Sequence, residues 1–177
     1  MNYFEFYDIP VSFQPDENLI RQKFYTFSKA YHPDFFVNES EDKQQEILDL
    51  STLNNKAYQV LANRNKRLPY ILDIYGELEE GEKYVLPSDF LMEMMEVNEA
   101  LMELEFEEDA AQLQKIIQEV DEIESNLDKE LQTFINAFDE ASETEKQVQL
   151  KKIKDIYYRK KYLLRIRESI NRFATRL

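Results

Sequence analysis

Apolar positions along the chain recur at helical spacing almost throughout. Between Glu17 and Tyr31 the residues Ile20, Phe24, Phe27 and Tyr31 follow one another at intervals of four, three and four, which is one face of a helix. Asp16 stands before this run as an N-cap. Pro33 ends it near Tyr31, because a proline drives the residue ahead of it out of the helical region. A second helix is predicted from near Ser40 to about Asn63, carrying Leu50, Leu53, Ala57 and Leu61, with Glu41 and Asp42 in the first turn where the helix dipole favours acids. The stretch KRLPYILDIYG predicts a short helix with Pro69 near its first turn and Gly76 past its end. Residues 1–76 thus read as one domain of two main helices around a loop at 32–39, with short flanking helices.

Residues 77–87 carry both a glycine and a proline and no clear period, and read as a linker. Three helices are predicted after it, at about 88–106, 109–140 and 144–174. The middle one has a near-heptad stripe of Leu113, Ile116, Val120, Ile123, Leu127, Leu131, Phe134 and Phe138. Residues 88–177 therefore predict an antiparallel three-helix bundle, and the fold class is all-α. On the first of these helices Phe90, Met94, Val97, Leu101 and Leu104 form the bundle-facing stripe, while Leu91, Met92 and Met95 project from another side with Glu96 and Glu99. On the last, Ile153, Ile156, Tyr157 and Leu163 form a core stripe and Tyr158 and Tyr162 point elsewhere. A helix with one core face does not need a second apolar set. The surplus predicts either a docking patch, with methionines for adaptable packing, or a face covered by the first domain.

Composition agrees with long helices: two glycines and five prolines in 177 residues leave little punctuation for hairpins. There are no cysteines, which excludes disulfides and thiolate metal sites from this chain's own residues and fits a reducing, cytoplasmic setting. No window approaches a membrane span, and the first residues have no signal-peptide pattern. The net charge of -14 is unevenly distributed: about -3 over residues 1–76, -20 over 77–145 and +9 over 146–177. Such a chain is a poor ligand for nucleic acid or an anionic membrane. The basic segment carries its own apolar stripe, so it is predicted to pack against the acidic helices rather than to reach for phosphate.

One histidine and no cysteine leave only dispersed carboxylates as metal ligands, which read as a solvated face. Two glycines, Gly76 and Gly81, cannot build a phosphate-cradling loop. No Gly-flanked serine elbow accompanies the histidine. These features predict a protein that binds other proteins, with no enzymatic activity, no cofactor and no metal.

The single histidine lies in KAYHPDFF, in the loop between the first two main helices. The helix before it turns Arg21, Tyr25 and Lys29 outward, a basic face on an acidic chain. One reading is an ordinary interhelical turn. The combination also resembles a J domain, the module with which co-chaperones stimulate DnaK-type ATPases. That resemblance implies chaperone contacts at His32, Pro33 and Asp34, with Arg21, Tyr25 and Lys29 on the helix. The residue types suit the task. Proline stiffens the loop, aspartate pairs with arginine, histidine both donates and accepts, and the two cations steer toward an acidic surface.

YFEFYDIP, YHPDFF, LNNKAYQVL, RLPYILDIYG and DFLMEMMEVNEAL follow in order, and together they resemble the HscB family, J-domain co-chaperones of iron–sulfur cluster assembly. The resemblance covers nearly the whole chain, and FLME after a proline-bearing segment is its most specific part. It implies a J domain followed by a three-helix bundle. It also implies two partners, a DnaK-type ATPase (HscA-like) and the cluster scaffold protein (IscU type). Leu91, Met92, Met95, Glu96 and Glu99 match the scaffold-contact motif, and Tyr162 joins them from the last helix. The sequence departs from the pattern at Phe35, where J domains usually carry a lysine, and at Asn98, where some relatives are basic. The cysteine pairs of eukaryotic members are missing, which fits a bacterial form. A general J-domain co-chaperone for another client and a helical adaptor whose His-Pro-Asp is only a turn are the competing readings.

Overall fold

The computed structural model describes residues 1–176. Seven α-helices and one 3-10 turn, Pro33–Phe36, make up the regular structure of these residues: the helices are α1 Tyr3–Phe6, α2 Glu17–Ala30, α3 Glu41–Leu61, α4 Arg64–Ile74, α5 Ser88–Phe106, α6 Ala110–Glu140 and α7 Glu143–Ala174. Contacts divide the chain into two units, Met1–Leu78 and the residues from Glu79 onward. The all-α architecture expected from periodicity is the one observed.

In the first unit α2 and α3 form a hairpin, and α1 and α4 pack against α3. The caps are those their sequences dictate: Asp16 accepts from the amides of Asn18 and Leu19, and Ser40 from that of Lys43. Asn2 and Glu5 cap α1 reciprocally. At the far end of α4, Gly76 has φ 72°, its amide donates to Asp73 O, and the Glu77 amide donates to Leu72 O. This pair of bonds is the Schellman arrangement, whose left-handed residue glycine takes without steric cost. Asn63 caps α4, so the helix starts earlier than its proline suggests. Pro69 is the sixth residue of α4 and not in its first turn; hydrogen bonding at the Asn63 cap fixes the start instead.

Polar groups lock this unit. Asn54, at 1% exposure, accepts from the Tyr7 hydroxyl at 2.9 Å and donates to Phe24 O and Ser28 Oγ, both at 3.1 Å. It ties α3 to α2 and to the residue after α1. Asn54→Ala is expected to lower the stability of this unit by about 2 kcal/mol, because buried partners lose their bonds and a void opens. Urea unfolding followed by circular dichroism measures it. Arg67 is buried with Nε donating to Phe13 O at 3.3 Å and Nη1 to Leu61 O at 2.5 Å. Burial pulls its pKa below the usual arginine value. Its charge belongs to the C-terminus of α3 and not to the surface.

The second unit is a three-helix bundle. Phe90, Met94, Val97, Leu101 and Leu104 of α5 are all buried, as their spacing predicts. On α6 the stripe is observed with one change: Ile135 takes the core position, and Phe134 is half-buried on the flank, under Lys152 Nζ at 5.4 Å. The 3.6-residue turn moves the stripe round by one position over this length. On α7 the core is Leu150, Ile153, Ile156, Leu163, Ile166 and Ile170, and Tyr157 is only half-buried. Burying each such aliphatic side chain contributes roughly 1.5–3 kcal/mol relative to exposure. Only Ala141 and Ser142 separate α6 from α7, so the two run back along each other. Their ion pairs show the antiparallel register directly: Lys160 meets Asp128, while Arg167, further along α7, meets Asp121 and Glu124, further back on α6. The basic segment is laid against the acidic one.

The segment 77–87 contains no helix, but part of it is fastened to α7. The Tyr84 hydroxyl donates to Asp155 Oδ1 at 2.7 Å, and its ring stacks on Tyr158 at 4.5 Å with planes 9° apart. Lys154 Nζ and the Tyr158 hydroxyl both donate to the Glu82 carboxylate, at 2.6 and 2.9 Å. The Lys154 bond holds that carboxyl below its usual range. Tyr158 is therefore not a surplus aromatic: burial and then its bond to Glu82 push its hydroxyl up to about 12.

Candidate functional site

His32, Pro33 and Asp34 lie at the end of α2, where Tyr31 closes the helix by donating to Phe27 O. The loop expected at 32–39 contains a 3-10 turn, Pro33–Phe36, that packs on α3. Proline suits its first position, where its fixed φ is already helical and no amide is needed. His32 caps the turn: the Asp34 amide donates to His32 Nδ1 at 3.3 Å. With Nδ1 accepting, the neutral ring carries its proton on Nε2, which has no partner among the described residues. The side chains of His32 and Asp34 are 51% and 84% exposed. Phe35, also exposed, lies edge-tilted to the imidazole at 5.6 Å between centroids.

Arg21, Tyr25 and Lys29 form one exposed row along α2, opposite the side that buries Ile20. Neither cation has a carboxylate partner among the described residues, although 36 acidic residues are available in the chain. The first unit thus presents a stiff turn with a free imidazole N–H and an exposed carboxylate, Asp34 Oδ2, 3.7 Å from His32 Nδ1, continuing from an unneutralised basic row.

The second set lies on α5. Met92 and Met95 are 64% and 59% exposed, and Glu96 and Glu99 are exposed beside them. Leu91 is half-buried: with Tyr162 it lines a groove between the 82–86 segment and α7. Tyr162 is held by the edge of Phe90 at 6.2 Å and by Asn98 Nδ2, which donates to its hydroxyl at 3.4 Å. Asn98 therefore orients a neighbouring ring. Burial, then the carboxylates of Glu119 on α6 and of Asp89 and Glu96 on α5, raise the pKa of Glu93. Glu82 and Tyr84 also frame the groove, and neither has a periodic signal in the sequence. Among the described residues no cluster of three or more histidines, cysteines or acids is arranged to hold a metal. No helix of the described residues is long and apolar enough to cross a membrane.

Comparison with known proteins converges on one family. The profile of the HSCB C-terminal oligomerisation domain matches residues 86–171. The co-chaperone protein HscB of Buchnera aphidicola subsp. Acyrthosiphon pisum is 38% identical over 102 residues, which is 57% of this chain and 59% of that relative, so the matched part is under two thirds of its length. The co-chaperone protein HscB homolog of Haemophilus ducreyi is 33% identical over 139 residues, covering 76% of this chain and 79% of the relative. Among solved structures, human co-chaperone HscB superposes with a TM-score of 0.71 at 28% identity, covering all of this chain and 84% of its own. The chaperone HscB from Vibrio cholerae gives 0.66 at 25% identity over 99% of both chains. The resemblance carried by the ordered segments and the two-part helical fold has the same source: the chain belongs to the HscB family of co-chaperones.

Proposed function

We propose that this chain stimulates the ATPase of a DnaK-type, HscA-like chaperone and brings to it an iron–sulfur cluster scaffold protein of the IscU type. The first unit engages the chaperone through His32, Pro33 and Asp34, helped by Arg21, Tyr25 and Lys29. The scaffold docks on Leu91, Met92, Met95, Glu96, Glu99 and Tyr162. The chain itself makes and breaks no covalent bond and needs no resident cofactor. It works in the cytoplasm, and boundaries at residues 76 and 88 separate the two activities.

The observation that carries this reading is the exposure of the His-Pro-Asp turn together with an unpaired basic row on the helix that leads into it. A turn that served only to join two helices has no use for either. The second unit supports the other half: methionines at helical spacing are left exposed beside acids on a helix whose core face is already filled. Chaperone ATPase rates measured with this chain, with and without the scaffold, test the whole proposal. Stimulation by the chain alone, raised further by the scaffold, is the expected result. Stimulation that ignores the scaffold favours a general co-chaperone for another client.

Arg21 and Lys29 act at a distance. Reversing both to glutamate is expected to slow association with the chaperone by about tenfold at low salt, with little change in dissociation. Raising the salt shrinks the wild-type advantage, since exposed charges are screened beyond about 8–10 Å at physiological ionic strength. Stopped-flow binding across a salt series checks both points, and a defect independent of salt argues against steering.

A further inference from the structure

The groove beside the proposed scaffold face is basic, next to an α5 surface that is acidic. It has a volume of about 360 Å³, and its walls include Leu91, Tyr158 and Tyr162, with Lys83, Lys161 and Arg165 around them. All three cations are exposed, and none has a carboxylate partner among the described residues. Five other cations of α7 do have such partners: Lys146 has Glu143, Lys154 has Glu82, Arg159 has Asp155, Lys160 has Asp128, and Arg167 has Asp121 and Glu124. The unpaired cations of the groove gather in a chain of net charge -14. The one acidic side chain in its wall, Glu82, is already bonded to Lys154 and Tyr158.

From this we infer that the groove takes an acidic segment of the same partner that docks on α5, with one or two of its carboxylates on Lys161 and Arg165; the inference rests on the scaffold-docking reading above. Leu91 and Tyr162 belong both to the apolar face and to the groove wall, so an occupant seated on Met92 and Met95 continues into it. The Arg165 guanidinium offers a planar fork for a carboxylate. The Lys161 ammonium lies 5.9 Å from the centroids of the Tyr157 and Tyr158 rings, an aromatic setting that leaves its hydrogens for a ligand. Glu96 and Glu99 on α5 complete a surface of both signs. Such a surface fixes the orientation of the partner as well as its affinity.

The test is calorimetric titration of the full chain with an IscU-type scaffold protein, for wild type, for Lys161→Gln/Arg165→Gln, for Lys161→Glu/Arg165→Glu, and for Leu91→Ala/Met95→Ala. The neutral pair is expected to weaken binding by about fivefold and the reversed pair by more than tenfold at low salt, with the gap closing as salt rises. Because both residues are exposed, melting temperatures are expected to match wild type. The neutral pair serves if the reversed one is destabilised by the acidic helices. Unchanged binding in both pairs, while the Leu91/Met95 variant binds poorly, overturns the groove and leaves the scaffold reading standing. Unchanged binding in all variants overturns both. A groove that binds inorganic phosphate at millimolar concentration, in competition with the scaffold, is a general anion site, and that result also overturns the acidic-segment inference.

Discussion

His32→Gln will abolish stimulation of the partner chaperone's ATPase and leave the helicity of this chain unchanged. Within the chain the side chain accepts a hydrogen bond from the Asp34 amide, and its Nδ1 lies 3.7 Å from the Asp34 carboxylate, both within a four-residue turn. It is half exposed, and the ring it lies against is the exposed Phe35. Its removal therefore costs the fold only a local cap, typically worth about 1 kcal/mol in a full helix. The Nε2–H, in contrast, is available to a partner, and glutamine replaces a ring fixed by its Nδ1 bond with a flexible amide that has to be ordered before it can donate there. Removing one partner of a buried, charge-assisted interfacial bond costs about 2–5 kcal/mol, enough to lose a transient complex. Steady-state ATPase assays and far-ultraviolet circular dichroism on the same preparation decide the matter. Stimulation that falls only in proportion to lost helicity makes His32 a structural residue.

Leu91→Ala combined with Met95→Ala will weaken scaffold binding by at least tenfold and leave basal ATPase stimulation intact. Buried apolar anchors dominate protein interfaces, truncation of one typically costing about 2 kcal/mol, and 1.4 kcal/mol is a decade in affinity. Met95 is 59% exposed, so its truncation leaves no cavity in the bundle. Leu91 is half-buried and its loss takes some packing from the groove wall, so a small drop in melting temperature accompanies the binding defect. The bundle's own stripe of Phe90, Met94, Val97 and Leu101 is untouched. Calorimetric titration and thermal melting separate the effects. Collapse of stability, with normal binding by the surviving folded fraction, assigns the pair to the core.

Helix limits and the α5 stripe were legible because a buried face must repeat at the helical period and caps must satisfy free amides; Asp16 and Ser40 mark their helices for that reason. The exposed residues of the first unit were legible in a different way, from a short motif on a face of the wrong charge. What periodicity cannot carry is a contact made by a segment with no period. Glu82 and Tyr84 fasten to α7 through two tyrosine hydroxyls and a lysine, and nothing in ELEEGEKYVLP marks them. Tyr158 was misread for the same reason, since its partner lies outside any helix. Asn54 is a related case: a polar residue at a core position of α3, intelligible only once Tyr7, Phe24 and Ser28 are seen to converge on it. At α4 the pattern misled, because Pro69 is a strong local signal and the cap that starts the helix is Asn63.

The two-residue connection between α6 and α7 also has a kinetic meaning. Neighbouring helices joined by so short a turn meet at little cost in chain entropy, and contacts that are near in sequence form first. The α6–α7 pairing is far more extensive than either of the pairings made by α5. In native-state hydrogen exchange α5 should accordingly be the first helix of the bundle to open and the last to close. A partner seated on Leu91, Met92 and Met95 would then slow the exchange of a whole helix, far beyond the amides it covers.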